Sequence, residues 1–359
     1  MLSEYLINWL SRSVVDRSNG STSRPSIALA TDIGLVRKEN QDRVACLKVG
    51  ASSWSDRSFL VVALSDGMGG MKNGGECASI AISVFFSSLV RSRNESLIDK
   101  MRLAANESNS AVYDYYRGYG GATLSAVLID LDGSAISLNV GDSRIYAESG
   151  VDRRVLNRLT IDDSLEEVVG GHGRELLQFI GMGDGLNAHV KYITPDYDRL
   201  LVTSDGVHFI HHQTLQDIFA NVVDPSQAVS RLSALARWSG APDNASLAVL
   251  SINRVEQLLL EAKSESLEVW DAFAELHLLR VKQEHVQVPV EAEAKAEAAI
   301  LPIVKEGIVT EKKPIIDAVK VKRISRSRKK PKEPKEPKDK LQIVIQMDAS
   351  TEGSDDSSR

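Results

Sequence analysis

The chain has 359 residues, of which 43% are hydrophobic and 26% charged, ordinary values for one large or two modest globular domains. Its net charge of −6 gives no electrostatic reason to expect nucleic acid as a partner. The two cysteines, Cys46 and Cys77, supply neither a disulfide framework nor a metal-ligand spacing, so a reducing cytoplasm is the expected setting. Charge is unevenly spread: between Lys320 and Lys340 eleven basic residues face three acidic ones. The rest of the chain is correspondingly more acidic, and the basic patch is local.

Residues 1–25 open with a short apolar stretch, Tyr5 to Leu10, interrupted by Asn8. It lacks a basic leader and is too short to span a bilayer, so it reads as a docking segment or a frayed end. No other run reaches membrane-spanning length, and no membrane association is expected. Residues 16–25 read as a polar loop, followed by candidate strands at Ser26–Thr31 and Val44–Val49. The run Phe59–Leu64 reads as a buried strand ending in Ser65-Asp66-Gly67.

Two helices are expected next, over 75–92 with Ala81, Val84, Phe85 and Leu89 on one face, and over 96–117. Gly118–Gly121 ends the second. Three strands follow in ATLSAVLID, SAISLNV and RIYAES, with tight Gly-Asp and Asp-Gly turns between them. A weakly patterned region runs to about Asn187, then the strands AHVKYIT and RLLVTS, helices over 214–221 and 225–239, and the strand ASLAVLSI. Helices that come in consecutive pairs between runs of strands argue for an α+β fold: two packed sheets flanked by helices, not a doubly wound βαβ sheet. The Gly-rich strand-to-helix signatures of P-loop and Rossmann domains are absent from the sequence.

Beyond Arg254 the pattern predicts one helix over 255–285, with Val255, Leu259, Ala262, Ser266, Val269, Phe273 and Leu276 spaced by four and three. This seam packs on its own domain or pairs with a partner. Residues 286–359 form a basic, Pro-rich tail expected to be disordered. Within it LQIVIQM, residues 341–347, is a β-prone patch suited to strand addition on another protein.

The candidate chemistry lies at the strand ends. Asp66-Gly67 and Asp205-Gly206 both follow apolar strands and a serine, Asp142 ends SAISLNVGD, and Asp243-Asn244 opens ASLAVL. One Asp-Gly at a strand end is ordinarily a turn. Several acids at such places, with no matching Cys or His, suggest hard oxygen ligands for Mg2+ or Mn2+. His208, His211 and His212 lie just after Asp205-Gly206 and are read as a solvated helix approach rather than a transition-metal site.

Seven stretches in order, GLVRKENQD, SDGMGG with GGECAS, GGATLSAVL, NVGDSRIY, LTIDDS, LLVTSDGV and PDNASLAV, resemble the metal-dependent protein phosphatases of type 2C in their bacterial serine/threonine form. The resemblance covers about residues 26–253 and implies a four-layer α-β-β-α sandwich, with a catalytic domain over 26–254. It implies that Asp66 bridges two ions, that the Gly67 carbonyl touches one of them, and that Asp205 and Asp243 complete a shell. Asp42 falls in the family's acidic pair and is expected to bind metal or its waters, and Asp142 matches the carboxylate that, with Asp205, holds a weaker third ion in bacterial relatives. Arg37 matches the phosphate-binding arginine, whose planar fork suits two phosphate oxygens, and Asn244 is expected to orient Asp243.

Four features depart from the family pattern. Met68 stands where some relatives have a histidine that serves as general acid, so no donor for the leaving group is identified. Gln41 replaces an acid, Asp163 replaces the histidine of LTxDHS, and the stretch from Ser164 to Asp205 is short for a full substrate-facing flap. The expected activity is hydrolysis of phosphoserine and phosphothreonine in protein substrates, opposing a serine/threonine kinase. The alternatives are a pseudophosphatase that binds partners through its C-terminal region, and a regulatory phosphatase acting on phosphoserine in anti-sigma-antagonist proteins. Clustered, mutually repelling carboxylates favour an enzyme over a scaffold.

Overall fold

The computed structural model describes residues 2–279 apart from 21, 52–54, 56, 150–154, 171–174 and 261–265. The expectations for the tail, including 341–347, lie outside the described residues.

In chain order the elements are α1 (Leu2–Leu10), β1 (Arg17–Asn19), β2 (Ile27–Asp32), β3 (Arg43–Val49), β4 (Phe59–Ser65), α2 (Gly74–Arg91), α3 (Leu97–Tyr116), β5 (Leu124–Asp130), β6 (Ala135–Val140) and β7 (Arg144–Ser149). They continue with β8 (Leu156–Arg158), α4 (Leu165–Val169), β9 (His189–Ile193), β10 (Tyr197–Thr203), α5 (Asp205–His208), α6 (His212–Ala220), α7 (Pro225–Trp238), β11 (Ala245–Ser251), α8 (Ile252–Leu260), β12 (Ser266–Asp271) and β13 (Glu275–Leu279). One sheet has six strands in the order β1-β2-β11-β10-β7-β8, the other seven in the order β13-β12-β3-β4-β5-β6-β9. Every pairing within them is antiparallel.

Alternation along the strands explains the layers. On β4, Val61 and Ala63 face α2 and α3, while Leu60, Val62 and Leu64 face the other sheet, as successive side chains of a strand must. On β11, Ala248 and Leu250 point between the sheets, and Leu247 and Val249 meet α6 and α7. Three apolar cores therefore separate four layers, helix, sheet, sheet and helix. This is the α+β sandwich expected from the sequence. Both strand faces are buried, which is why β4 reads as an unbroken apolar run.

Two sequence expectations are corrected. The first 25 residues are no frayed end: Leu6 and Leu10 of α1 are buried in the core beneath α2, the Leu10 carbonyl accepts from Arg43 Nε at 2.9 Å, and β1 pairs with β2 where only a loop was expected.

The single helix over 255–285 is also overturned. The helix is α8, ending at Leu260, and the next described residues form the hairpin β12–β13 on the edge of the seven-stranded sheet. Asp271 Oδ1 accepts from the main-chain N–H of Phe273 and Ala274 at 2.8 and 2.9 Å, closing the turn locally. Trp270 is fully buried between the sheets, while Val269 faces the other core. The four-three spacing is also compatible with this alternation, and the free edge of β3 supplies hydrogen bonds that override helix propensity.

Candidate functional site

Both sheets deliver carboxylates to one end of the sandwich. Asp66 follows β4 and Asp42 precedes β3, neighbours in the seven-stranded sheet with Arg43 opposite Ser65. Asp205 follows β10 and Asp243 lies just before β11, neighbours in the six-stranded sheet. Asp142 sits in the turn where the chain leaves β6 for β7, crossing from one sheet to the other.

Close backbone approach fixes the two Ser-Asp-Gly turns. The Asp66 N–H donates to Thr123 Oγ1 at 2.9 Å, and the Thr123 N–H donates to the Asp66 carbonyl at 2.8 Å. A Cβ on Gly67 would lie 2.2 Å from the Gly74 carbonyl carbon, and one on Gly206 would lie 1.9 Å from the Asn244 oxygen. The glycine after each Ser-Asp is thus required because a second backbone passes there, which no side chain tolerates.

A cavity of about 290 Å3 is lined by Asp66, Gly67, Asp142, Asp205, Asp243 and Arg37, with Gln41, Met68 and Leu176 completing its wall. Arg37 Nη2 is 2.6 Å from Asp243 Oδ2. Burial, then the charges of Asp42, Asp205, Asp142 and Asp243, holds the Asp66 carboxyl well above the usual carboxylate range. Burial, with Asp205 and Asp162 adding to it and Arg144 opposing, raises Asp142 to about 7.

Asp42 reaches about 7 mainly through burial, against hydrogen bonding by serine hydroxyls and with repulsion from Asp205 and Asp243. Its Oδ2 accepts from Ser204 Oγ at 2.8 Å, while its Oδ1 is buried with no hydrogen-bond partner. Asp42 lines the adjoining cavity between residues 10–16, 38–44 and 271–273 rather than the one shared by the other four carboxylates. It stands behind them.

Five acids gathered at one buried end repel one another, and a divalent cation is the group that relieves this at least cost. The donor set is all oxygen, which suits Mg2+ or Mn2+. Among the described residues no three Asp, Glu, His or Cys side chains are already closed into a metal-holding cluster; Arg37 engages Asp243 instead. The shared cavity, lined by four of these carboxylates, fits an ion and its water shell.

Asn244 does orient Asp243, though through its main-chain N–H, which donates to Asp243 Oδ1 at 2.8 Å. Its side chain accepts from the Gln41 N–H at 2.8 Å and donates to the Ile33 and Glu39 carbonyls, both at 2.9 Å, pinning the loop that carries Arg37. His208 is not solvated as expected. Burial, then the charges of Arg144 and Arg158, keeps its imidazole well below the usual histidine range, and its Nδ1 lies 3.0 Å from Thr203 Oγ1. His211 and His212 are exposed.

Sequence reasoning treated Asp163 only as a departure, and the structure gives it work. Its Oδ2 accepts from the Gly141 N–H at 3.0 Å, and its Oδ1 meets Gln178 Nε2 at 3.0 Å and His189 Nε2 at 2.8 Å. One buried carboxylate thus ties the Asp142 turn to β9 and to the segment bearing Leu176. A histidine partner 26 positions away leaves no local pattern to read.

The sequence profile of the family described as protein phosphatase 2C matches residues 36–238. A search of curated proteins finds no match. Among solved structures the chain is similar to the PPM Ser-Thr phosphatase MsPP of Mycobacterium smegmatis in complex with cacodylate, at 26% identity and a TM-score of 0.53, over 63% of this chain and 97% of that one. It is similar to the catalytic domain of the serine/threonine protein phosphatase PstP in complex with two manganese ions, at 25% identity and a TM-score of 0.50, over 63% and 96%. The serine/threonine phosphatase of S. agalactiae, at 24% identity and a TM-score of 0.54 over 63% and 98%, shares the fold.

Proposed function

The chain belongs to the protein phosphatase 2C family and is a protein serine/threonine phosphatase, and we propose that it hydrolyses its phosphoprotein substrates with water activated by two Mn2+ or Mg2+ ions. The observation that carries this reading is the shared cavity in which Asp66, Asp142, Asp205 and Asp243 meet Arg37.

Asp66, the Gly67 carbonyl, Asp205 and Asp243 would hold the two ions. Asp42 would support them from behind, and Asp142 with Asp205 would hold a weaker third. Bound there, such ions lower the pKa of a water and neutralise phosphoryl oxygens, which a phosphate monoester dianion otherwise uses to repel the attacking oxygen.

The chain's own residues do the rest. Arg37, released from Asp243, presents two N–H groups to the phosphate. The glycines of Asp66-Gly67 and Asp205-Gly206 hold the main chain still beneath it. No Cys or Ser nucleophile is called for: Cys46 and Cys77 are buried, and burial raises both thiols, Cys77 to about 12. Met68, which cannot donate a proton, lines the cavity.

The reading extends to a cytoplasmic enzyme that opposes a serine/threonine kinase, with residues beyond the hairpin recruiting that kinase or its substrate. Among the described residues no helix is long and apolar enough to cross a membrane.

The test is phosphate release from phosphoserine and phosphothreonine peptides before and after exhaustive chelation. Turnover should vanish without metal, return with Mn2+ or Mg2+ and return poorly with Zn2+. Full turnover in the metal-free protein would sink the mechanism. Replacing Arg37 by Ala should raise KM for small phosphomonoesters more than it lowers kcat; an unchanged KM would mean that another group holds the phosphate.

A further inference from the structure

Beside the carboxylate cavity opens a larger one of about 530 Å3, which shares Arg37, Asp142, Asp205 and Asp243 with it. Its outer walls come from groups that the reaction does not use. They include Val36, 68% exposed, and Phe209, 42% exposed, two large apolar side chains left open to solvent. Glu166, at the start of α4, lines it as well.

Asp142 and Asp205 belong to the carboxylate cluster already described, and two of the remaining acids are paired. Arg37 pairs with Asp243. Asp162 takes Arg144 at 2.7 Å and Arg158 at 2.6 Å. Glu166 is exposed, and among the described residues its carboxylate enters no ion pair or side-chain hydrogen bond. The cavity thus offers an apolar wall, an aromatic ring and a carboxylate without a counter-ion among the described residues, all next to the place where phosphate is expected.

A long side chain with an apolar stem and a cationic head satisfies all three at once. Its methylenes cover Val36, its head lies over the Phe209 ring, and the charge meets Glu166. We propose that this cavity is the subsite for an arginine or lysine flanking the phosphorylated residue, so that the preferred substrates are phosphoserine and phosphothreonine in basic sequence. The proposal rests on the phosphatase reading above. An acidic flanking residue finds a like charge at Glu166, and an apolar one leaves that carboxylate unmatched.

The experiment compares kcat/KM on phosphoserine peptides identical except for Arg, Leu or Glu at the flanking positions, with p-nitrophenyl phosphate as a substrate that cannot reach the subsite. The wild type should favour the Arg over the Leu peptide on the order of tenfold, mostly through KM. The Arg-to-Leu ratio should shrink in Glu166→Gln and in Phe209→Leu, and Glu166→Lys should bring the Glu peptide ahead of the Arg peptide. Equal turnover of the three peptides by a wild type that hydrolyses p-nitrophenyl phosphate overturns the subsite alone. A ratio unmoved by both Glu166 variants, or a preference for Leu, does the same. Failure of the wild type on every substrate with Mn2+ present overturns the phosphatase reading and the subsite with it.

Discussion

Burial and four other carboxylates favour the neutral form of Asp66, outweighing the attraction of Arg37. Asn in its place keeps the shape and removes the charge. Asp66→Asn and Asp243→Asn should each lower the rate by several orders of magnitude, on the order of the loss of a transition-state charge interaction, while the fold survives. Near-wild-type turnover in either variant would show the assignment to be wrong.

Burial, with repulsion added, predicts a pH dependence of the metal-free protein. Asp42 and Asp142, ordinarily at 3.8, are each raised to about 7. Their stabilising share is then complete below the unfolded value and is lost as pH rises through about 7. The unfolding midpoint in chelator should therefore fall from about pH 5 to about pH 8, and Asp142→Asn should flatten the curve. A midpoint that rises over this interval would contradict the placement of these groups.

At this scale the repeated Ser-Asp-Gly at two strand ends was legible, because a buried strand has to end somewhere and a carboxylate there faces the rim. The work of Asp163 was not. Its partners Gly141, Gln178 and His189 come from three separate segments, and no local spacing announces them.

The hairpin of β12 and β13 shows where elements, rather than residues, escape a reading by pattern. Residues 266–276 satisfy a helical spacing, and only the unpaired edge of β3 decides for a strand. The long helices α2 and α3, the alternating strands and the proline opening α7 were readable because local preference and tertiary packing agree there. Strands β1 and β8, of three residues each, are too short to carry a pattern.

The correction has a mechanical consequence. Trp270 fills the inter-sheet core and carries Arg24 4.0 Å from its ring, and Lys48 pairs with Glu268 at 2.6 Å. Trp270→Ala should cost about 3–5 kcal/mol. A chain cut after Arg254 should lose its cooperative unfolding transition, whereas one cut after Glu284 should keep it. Equal melting of the two truncated proteins would mean that the hairpin adds nothing to the core.

For the whole molecule, the described part is a sandwich with its carboxylates at one end, and the proposal is that the residues after the hairpin recruit a partner. Under that proposal, a tether of roughly 50 residues would span on the order of 40 Å on average and would raise the effective concentration of whatever it binds. The protein cut after Glu284 should hydrolyse small phosphomonoesters as fast as the full chain and its physiological target more slowly. Equal rates on that target would remove recruitment from the account.

The central claim is that the carboxylates of both sheets act together on phosphate, and the rate of phosphate release from one phosphothreonine peptide across a Mn2+ titration tests it most directly, in the wild type and in Asp205→Asn. Asp205 is the residue that both the two-ion site and the weaker third ion would share. The account predicts a saturable rise in the wild type and a rate lower by several orders of magnitude in the variant at every Mn2+ concentration. Superimposable titrations of the two proteins would contradict it.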